Sequence, residues 1–85
     1  MYIHLGGDYV VKEEEVIGIF DLDISTVSKH TRKFLNTKEK QKKVIYTSLE
    51  LPKSFILASN GKEEKVYISQ ISSQTLEKRS GIIIK

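Results

Sequence analysis

The chain has 85 residues, with 14 basic and 11 acidic side chains, a formal net charge of +3 and no cysteine. This length predicts one domain, residues 1–85, with a single small core. The absence of cysteine excludes a disulfide framework and thiolate metal sites. No apolar run approaches the roughly 20 residues of a membrane-spanning helix, and no signal peptide is visible. We therefore expect a cytoplasmic protein that does not enter a membrane.

The first quarter of the chain predicts a β-hairpin followed by a buried strand. Residues 2–5 and 8–11 are strand-like, and Gly6-Gly7 accepts the positive φ angles that a tight turn demands. After a polar connection, residues 16–20 are β-branched and apolar, which is typical of a mostly buried strand. Gly18 within this strand indicates a bulge or a close backbone approach.

A longer helix follows, with N-cap candidates in Asp21–Ser25 and a helical pattern from Thr26 to about Lys38. The pattern has an apolar face and a separate cationic face. The apolar face contains Val27, Thr31, Phe34 and Leu35, and the cationic face contains Lys29, Arg32 and Lys33. From Asn36 to Lys43 the pattern fades into a polar, lysine-rich stretch, which predicts an exposed loop.

The second half of the chain predicts three strands and a short helix. Residues 44–47, 54–58 and 65–69 are strand-like, and the turn signal Asn60-Gly61 makes the last two a hairpin. Ser72 or Ser73 is expected to cap the helix, which ends at Gly81. The apolar tail Ile82–Ile84 needs a partner subunit or a place in the sheet to cover it.

These elements predict an α+β domain in the order ββ(β)αβββα. The sheet is expected to be small and mostly antiparallel, with one longer and one short helix.

Few residues suit catalysis or metal binding. His4 and His30 have no second ligand at metal spacing, so we expect structural roles for both. Asp21 and Asp23 form an acidic pair that could bind a metal or act in acid–base catalysis, although a strand-to-helix junction favours helix capping. The sequence has no phosphate-binding glycine loop and no nucleophile elbow. We therefore expect neither an enzyme nor a bound metal or cofactor.

Charge is distributed unevenly along the chain. The first 24 residues contain one basic and six acidic side chains, whereas residues 25–43 contain seven basic and one acidic. The basic block favours a polyanion partner. Alternatively, acidic and basic surfaces of neighbouring copies meet head to tail, which builds rings or filaments, or the block is simply solvated. At Pro52-Lys53-Ser54, an ammonium, a hydroxyl and a backbone N–H are expected to hold a phosphate together.

Segments spread over nearly the whole chain carry a family resemblance. They are Tyr2–Gly6 with Asp8 and Val10-Val11, Val16–Asp21, Phe34-Leu35, Pro52–Ser54, Val66–Ser69, Ile71–Ser73, Thr75-Leu76 and Lys78-Arg79. In these segments the chain resembles the RemA/RemB-type extracellular matrix regulators of spore-forming Firmicutes, and most of all the RemB branch.

The resemblance implies a DNA-binding transcriptional regulator of biofilm matrix genes, with no enzymatic activity and no cofactor. The RemA branch forms ring-shaped oligomers around which DNA can wrap, so a homo-oligomer is implied as well. By the same resemblance, Lys53 lies where that branch has a basic residue, and Arg79 occupies the equivalent basic position in the C-terminal helix.

The chain also departs from the RemA branch. It has Glu15 where RemA-like proteins have an arginine before the second apolar strand, and Glu50, Leu51 and Pro52 where they have a run of arginines. Because glutamate repels phosphates, the departures argue against RemA-style wrapping. They direct any DNA contact to the helix face and the lysine-rich loop.

We therefore predict an oligomeric, ring-forming regulator that binds the phosphates of double-stranded DNA through basic residues. The predicted contacts are Lys29, Arg32, Lys33, Lys53, Ser54 and Arg79, with the Lys38–Lys43 loop assisting. The alternative is an oligomeric protein-interaction scaffold that acts with a related regulator and binds DNA weakly or not at all. The acidic surface predicted for Glu13–Glu15, Asp21 and Asp23 favours this alternative.

Overall fold

The computed structural model describes residues 2–22 and 29–80. Two strands, a 3-10 turn, a third strand, a helix, three further strands and a final helix follow in chain order. They are β1 (Tyr2–Gly6), β2 (Tyr9–Lys12), the turn Glu13–Glu15, β3 (Val16–Asp21), α1 (Lys29–Lys40), β4 (Val44–Tyr46), β5 (Ser54–Ser59), β6 (Glu64–Ser69) and α2 (Ser73–Ser80). The predicted N-caps beyond Leu22, the first helical residues with Val27, the stop at Gly81 and the apolar tail lie outside the described residues.

Four of the strands form one sheet in the order β3-β5-β6-β4, and β1 pairs with β2 in a separate hairpin. The pairs β3–β5 and β5–β6 are antiparallel, whereas β4 runs parallel to β6. The β3–β5 register shifts between Val16 and Gly18, so the bulge predicted at Gly18 is confirmed. The order and the mostly antiparallel pairing confirm the predicted α+β fold.

The two faces of the four-stranded sheet are covered by different elements. Because side chains alternate across a strand, Ile56 and Ala58 of β5 face a cluster with Ile3, Leu5 and Leu76. Phe55 and Leu57, which alternate with them along β5, face a second cluster that includes Phe34 and Leu35. The β1–β2 hairpin and α2 therefore cover one face of the sheet, and α1 covers the other.

Buried hydroxyl groups attach the hairpin to the sheet. Ser69 and Thr47 are both buried, and each donates a hydrogen bond to the Leu5 carbonyl, at 2.6 Å and 3.2 Å. The turn of this hairpin is Gly7-Asp8, one residue later than predicted, because Gly6 still pairs with Tyr9. Both Gly6 and Gly7 have positive φ, at 115° and 57°, which glycine adopts at little cost.

One predicted segment is wrong. The loop predicted over residues 36–43 is helical through Lys40, beyond the predicted helix end near Lys38, and only a short turn precedes β4 at Val44. Lysine, glutamate and glutamine are good helix formers, so a polar composition alone does not end a helix. The N-cap of α2 follows prediction, because the Thr75 N–H donates to the Ser72 hydroxyl oxygen at 3.2 Å.

Candidate nucleic-acid interface

Helix α1 has one face against the sheet and one face in solvent. Phe34 and Leu35 are half-buried against the Phe55 side of the sheet. Lys29, Lys33 and Lys40 are spaced by four and seven residues, so they share the opposite side of the helix, and all three are exposed. The helical spacing of the residues thus places the apolar side chains against the sheet and the cations in solvent.

The solvent side of α1 forms an open, cationic depression. Its lining residues are Lys29, His30, Arg32, Lys33, Asn36, Thr37 and Lys40. Within residues 2–22 and 29–80, the four Lys and Arg side chains of this set make no ion pair. Within that part of the chain, their charges are therefore not neutralised by neighbouring carboxylates. We call Lys29, Arg32, Lys33 and Lys40 the α1 cations.

Lys38 is turned away from this set. Its ammonium donates to Glu64 Oε1 at 2.8 Å, which ties α1 to β6, and it lies 5.6 Å from the centre of the Phe34 ring. The hydrogen bond from Lys38, followed by the attraction of its charge, lowers the pKa of Glu64. Lys38 thus has a structural partner, whereas Lys40, which belongs to the helix, is exposed and lines the cationic depression.

The acidic residue within the basic block also has a hydrogen-bond partner. Glu39 is the single acidic residue in positions 25–43, and its Oε2 accepts a hydrogen bond of 2.9 Å from the Tyr46 hydroxyl. That hydrogen bond, burial and the nearby negative charge raise the pKa of Tyr46. Glu39 is therefore directed towards β4.

The phosphate cradle predicted at Lys53 and Ser54 does not form. The Lys53 N–H donates to the Ser69 carbonyl at 2.8 Å. Ser54 is fully buried, and its hydroxyl donates to the Ile71 carbonyl at 2.7 Å. Two of the three expected phosphate ligands are thus used inside the protein. Of the three groups, only the Lys53 side chain is exposed. Ser54 is therefore not available as a DNA contact.

Arg79 does not lie on the same surface as the α1 cations. It belongs to α2, whose Leu76 packs in the cluster on the hairpin side of the sheet, whereas α1 covers the other side. Its guanidinium donates to the His4 carbonyl at 3.4 Å. The structure therefore brings Lys29, Arg32 and Lys33 together, joins Lys40 to them and places Arg79 on the opposite layer.

Sequence reasoning missed Lys40 as a member of this helix surface. The signal was present, because position 40 continues the spacing of Lys29 and Lys33 once the helix is allowed to extend. Among the described residues, no group of His, Asp or Glu side chains is arranged to hold a metal ion. Neither of the two helices described is long and apolar enough to span a bilayer.

Comparison with known proteins identifies the family to which the chain belongs. A family model described as RemA-like, extracellular matrix regulatory protein A-like, matches residues 2–80. The extracellular matrix regulatory protein B of Bacillus subtilis (strain 168) is 38% identical over 80 residues, which cover 94% of this chain and 90% of that protein. The match includes both the α1 surface and the sheet that supports it, and the chain belongs to the RemA-like family of extracellular matrix regulatory proteins.

Proposed function

We propose that this protein is an oligomeric regulator of biofilm matrix genes that binds the phosphates of duplex DNA through the α1 cations. One observation carries the proposal: these four side chains are exposed on a single helix side and make no ion pair within the described part of the chain. Membership of the RemA-like family supports the matrix-regulatory role. The basic composition, with a sequence pI of about 9.2, supports a polyanionic partner.

The size of the α1 surface suits a duplex backbone. From Lys29 to Lys40 the helix rises about 16 Å, a length that corresponds to about five base pairs. Each phosphate neutralised by a lysine or arginine releases counterions, so binding gains entropy and weakens as salt rises. Lys53, exposed immediately before β5, adds a further positive charge outside the helix.

The side chains of the α1 cations are better suited to contacts with the DNA backbone than to recognition of bases. Three of the four α1 cations are lysines, which bind phosphate as point charges, and only Arg32 has the planar fork that pairs with guanine. Sequence preference would then come mainly from the bendability of the DNA. A few contacts per copy become strong binding when several linked copies engage one duplex.

A gel-shift titration tests the proposed surface. We expect Arg32→Glu/Lys33→Glu to weaken duplex binding by roughly a hundredfold, and Lys53→Glu by roughly tenfold, because attraction becomes repulsion at the phosphates. The slope of log affinity against log salt should fall by about two for the double variant. The control is Lys62→Glu, which makes the same charge change at an exposed position of the β5–β6 turn.

Equal weakening in the Lys62→Glu control would mean that only net charge matters, and unchanged binding in the α1 double variant would discard this surface. Circular dichroism of each variant checks that the fold is retained.

The second candidate function is a protein-interaction scaffold. It is favoured by the acidic 3-10 turn Glu13–Glu15, which contains three adjacent carboxylates, and by the apolar loop before β5, where Leu49 and Leu51 are exposed. A wild-type protein that assembles but fails to shift a long duplex even at low salt would support the scaffold over the DNA-binding regulator.

A further inference from the structure

Asn36 lies in the row of lysines on the solvent side of α1. It follows Lys33 by three residues and precedes Lys40 by four, so the three side chains share one side of the helix, and all three are exposed. Arg32, one turn before Asn36, is exposed as well and lines the same depression. An uncharged amide therefore lies among the cations on the surface proposed to bind DNA.

The fold makes no use of the Asn36 amide within residues 2–22 and 29–80. In that part of the chain its side chain forms no hydrogen bond, whereas the neighbouring Thr37 hydroxyl donates to the Lys33 carbonyl at 2.9 Å. Asparagine is also a poor helix former in the interior of a helix. Asn36 thus weakens α1 and gains no partner from the described residues, which leaves its two donors and its acceptor available to a ligand.

The solvent side of α1 is accessible to a groove of the duplex. Among the residues that the structure describes, those that line the depression all belong to α1, so the described strands and loops leave this side of the helix open. An α-helix with its side chains is about 10–12 Å across, and the major groove of B-form DNA is about 12 Å wide. The exposed side of α1 therefore fits the major groove.

Asn36 and Arg32 have side chains that recognise base edges in this groove. An asparagine amide pairs with both N6–H and N7 of adenine, and the arginine fork pairs with O6 and N7 of guanine. The lysines beside them lack such planar groups and bind phosphate as point charges. Between Arg32 and Asn36 the helix rises about 6 Å, which corresponds to about two base pairs.

We propose that α1 enters the major groove of duplex DNA, where Asn36 contacts an adenine and Arg32 contacts a guanine about two base pairs away. This inference rests on the proposed function, and it adds direct recognition of bases to the preference that comes from bendability. In this arrangement Lys29, Lys33 and Lys40 hold the helix against the phosphates on either side of the groove, while the amide and the guanidinium select the sequence.

Selection of duplexes from a randomised pool tests the contact of Asn36. We expect the wild type to enrich sites with a fixed adenine, and Asn36→Ala to lose roughly tenfold or more of the preference at that position, with the salt dependence of its affinity unchanged. Alanine is the better helix former, so misfolding does not explain a loss. The control is Lys40→Ala, which should weaken binding to all duplexes, lower the salt slope by about one and keep the preference.

A base analogue and a charge-conserving variant test the atoms involved. In the selected duplex, 7-deazaadenine replaces the N7 acceptor by a C–H group. It should weaken binding of the wild type by roughly tenfold and leave Asn36→Ala unaffected, because that variant has already lost the contact. Arg32→Lys keeps the positive charge but loses the planar fork, so it should relax the guanine preference and keep the salt slope.

The outcomes separate base recognition from phosphate binding. A wild type that binds duplexes but enriches no fixed base pair, or an Asn36→Ala or Arg32→Lys variant that selects the same sites as the wild type, overturns the inference and leaves the proposed function standing. Failure of the wild type to bind any duplex at low salt overturns both. Loss of the adenine preference in the first variant and of the guanine preference in the second, with binding to unrelated duplexes retained, supports the inference.

Discussion

The Ser54 hydroxyl lies where the sheet, the hairpin and the chain leading to α2 converge. It is fully buried and donates to the Ile71 carbonyl, while the neighbouring Ser69 hydroxyl accepts from the Ile71 N–H at 3.0 Å. The two serines therefore satisfy both backbone groups of Ile71. Ser54, which the sequence predicts as a phosphate ligand, instead satisfies a backbone carbonyl of its own chain.

Ser54→Ala should destabilise the fold and leave DNA binding unchanged. Removing the hydroxyl leaves the Ile71 carbonyl without this donor, which costs about 1–3 kcal/mol in a urea unfolding titration. The control is Ser59→Ala, whose exposed hydroxyl only accepts from the Gly61 N–H, and its cost should stay below about 0.5 kcal/mol. A Ser54→Ala protein that is fully folded but binds duplex weakly would restore Ser54 as a phosphate contact.

At the scale of elements, α1 is attached to the sheet by apolar contacts, by the hydrogen bond from Tyr46 to Glu39 and, among the residues described, by an ion pair that crosses to β6. The Lys38 ammonium and the Glu64 carboxylate meet at 2.8 Å, with the Glu64 side chain 46% exposed. Because solvent screens a carboxylate this exposed, the pair contributes modestly to stability. It directs Lys38 towards the sheet, which leaves the α1 cations as a separate set.

Glu64→Gln should lower the melting temperature slightly at neutral pH but not in acid. The Lys38 partner lowers the pKa of Glu64 from its ordinary value of 4.5. The stabilisation is therefore present above pH 4.5 and is lost as the pH falls through the lowered value. A thermal unfolding series from about pH 7 to about pH 3 checks this, with Glu63→Gln as the neighbouring control. A difference that persists in acid would assign the effect to something other than the ion pair.

Much of the element pattern was predictable because it depends on local chemistry. Glycines and Asn60-Gly61 mark the turns, alternation marks the strands, and Ser72 marks the start of α2. The end of α1 was not predictable from composition, since lysine-rich segments suit helices and loops alike. Two features of the site needed tertiary information: the burial of Ser54, and the placement of Arg79 on the layer opposite α1.

At the scale of the whole molecule, the three layers give the protein a compact shape with a longest extent of 31 Å. One copy therefore spans about nine base pairs, at roughly 3.4 Å per pair. The α1 cations occupy only part of that length, so a single copy offers few phosphate contacts. Tight binding would require several copies on one duplex.

Affinity should therefore depend on duplex length. In fluorescence anisotropy, a duplex of about 10 base pairs should bind at least tenfold more weakly than one of about 60 base pairs, because only the longer duplex engages neighbouring copies. The comparison is made per available binding site. The Arg32→Glu/Lys33→Glu variant serves as the control, since loss of phosphate contacts should weaken binding to both duplexes. Equal per-site affinity of the wild type for both duplexes would count against cooperative binding.

The rims of the four-stranded sheet limit how copies can join. On one rim, β3 is distorted between Val16 and Gly18, and on the other, β4 has only three residues. Short or bulged strands are poor templates for backbone pairing with another molecule. The described strands at both rims therefore disfavour growth by strand addition, the route to amyloid. Concentrated solutions of this protein should therefore remain thioflavin-negative.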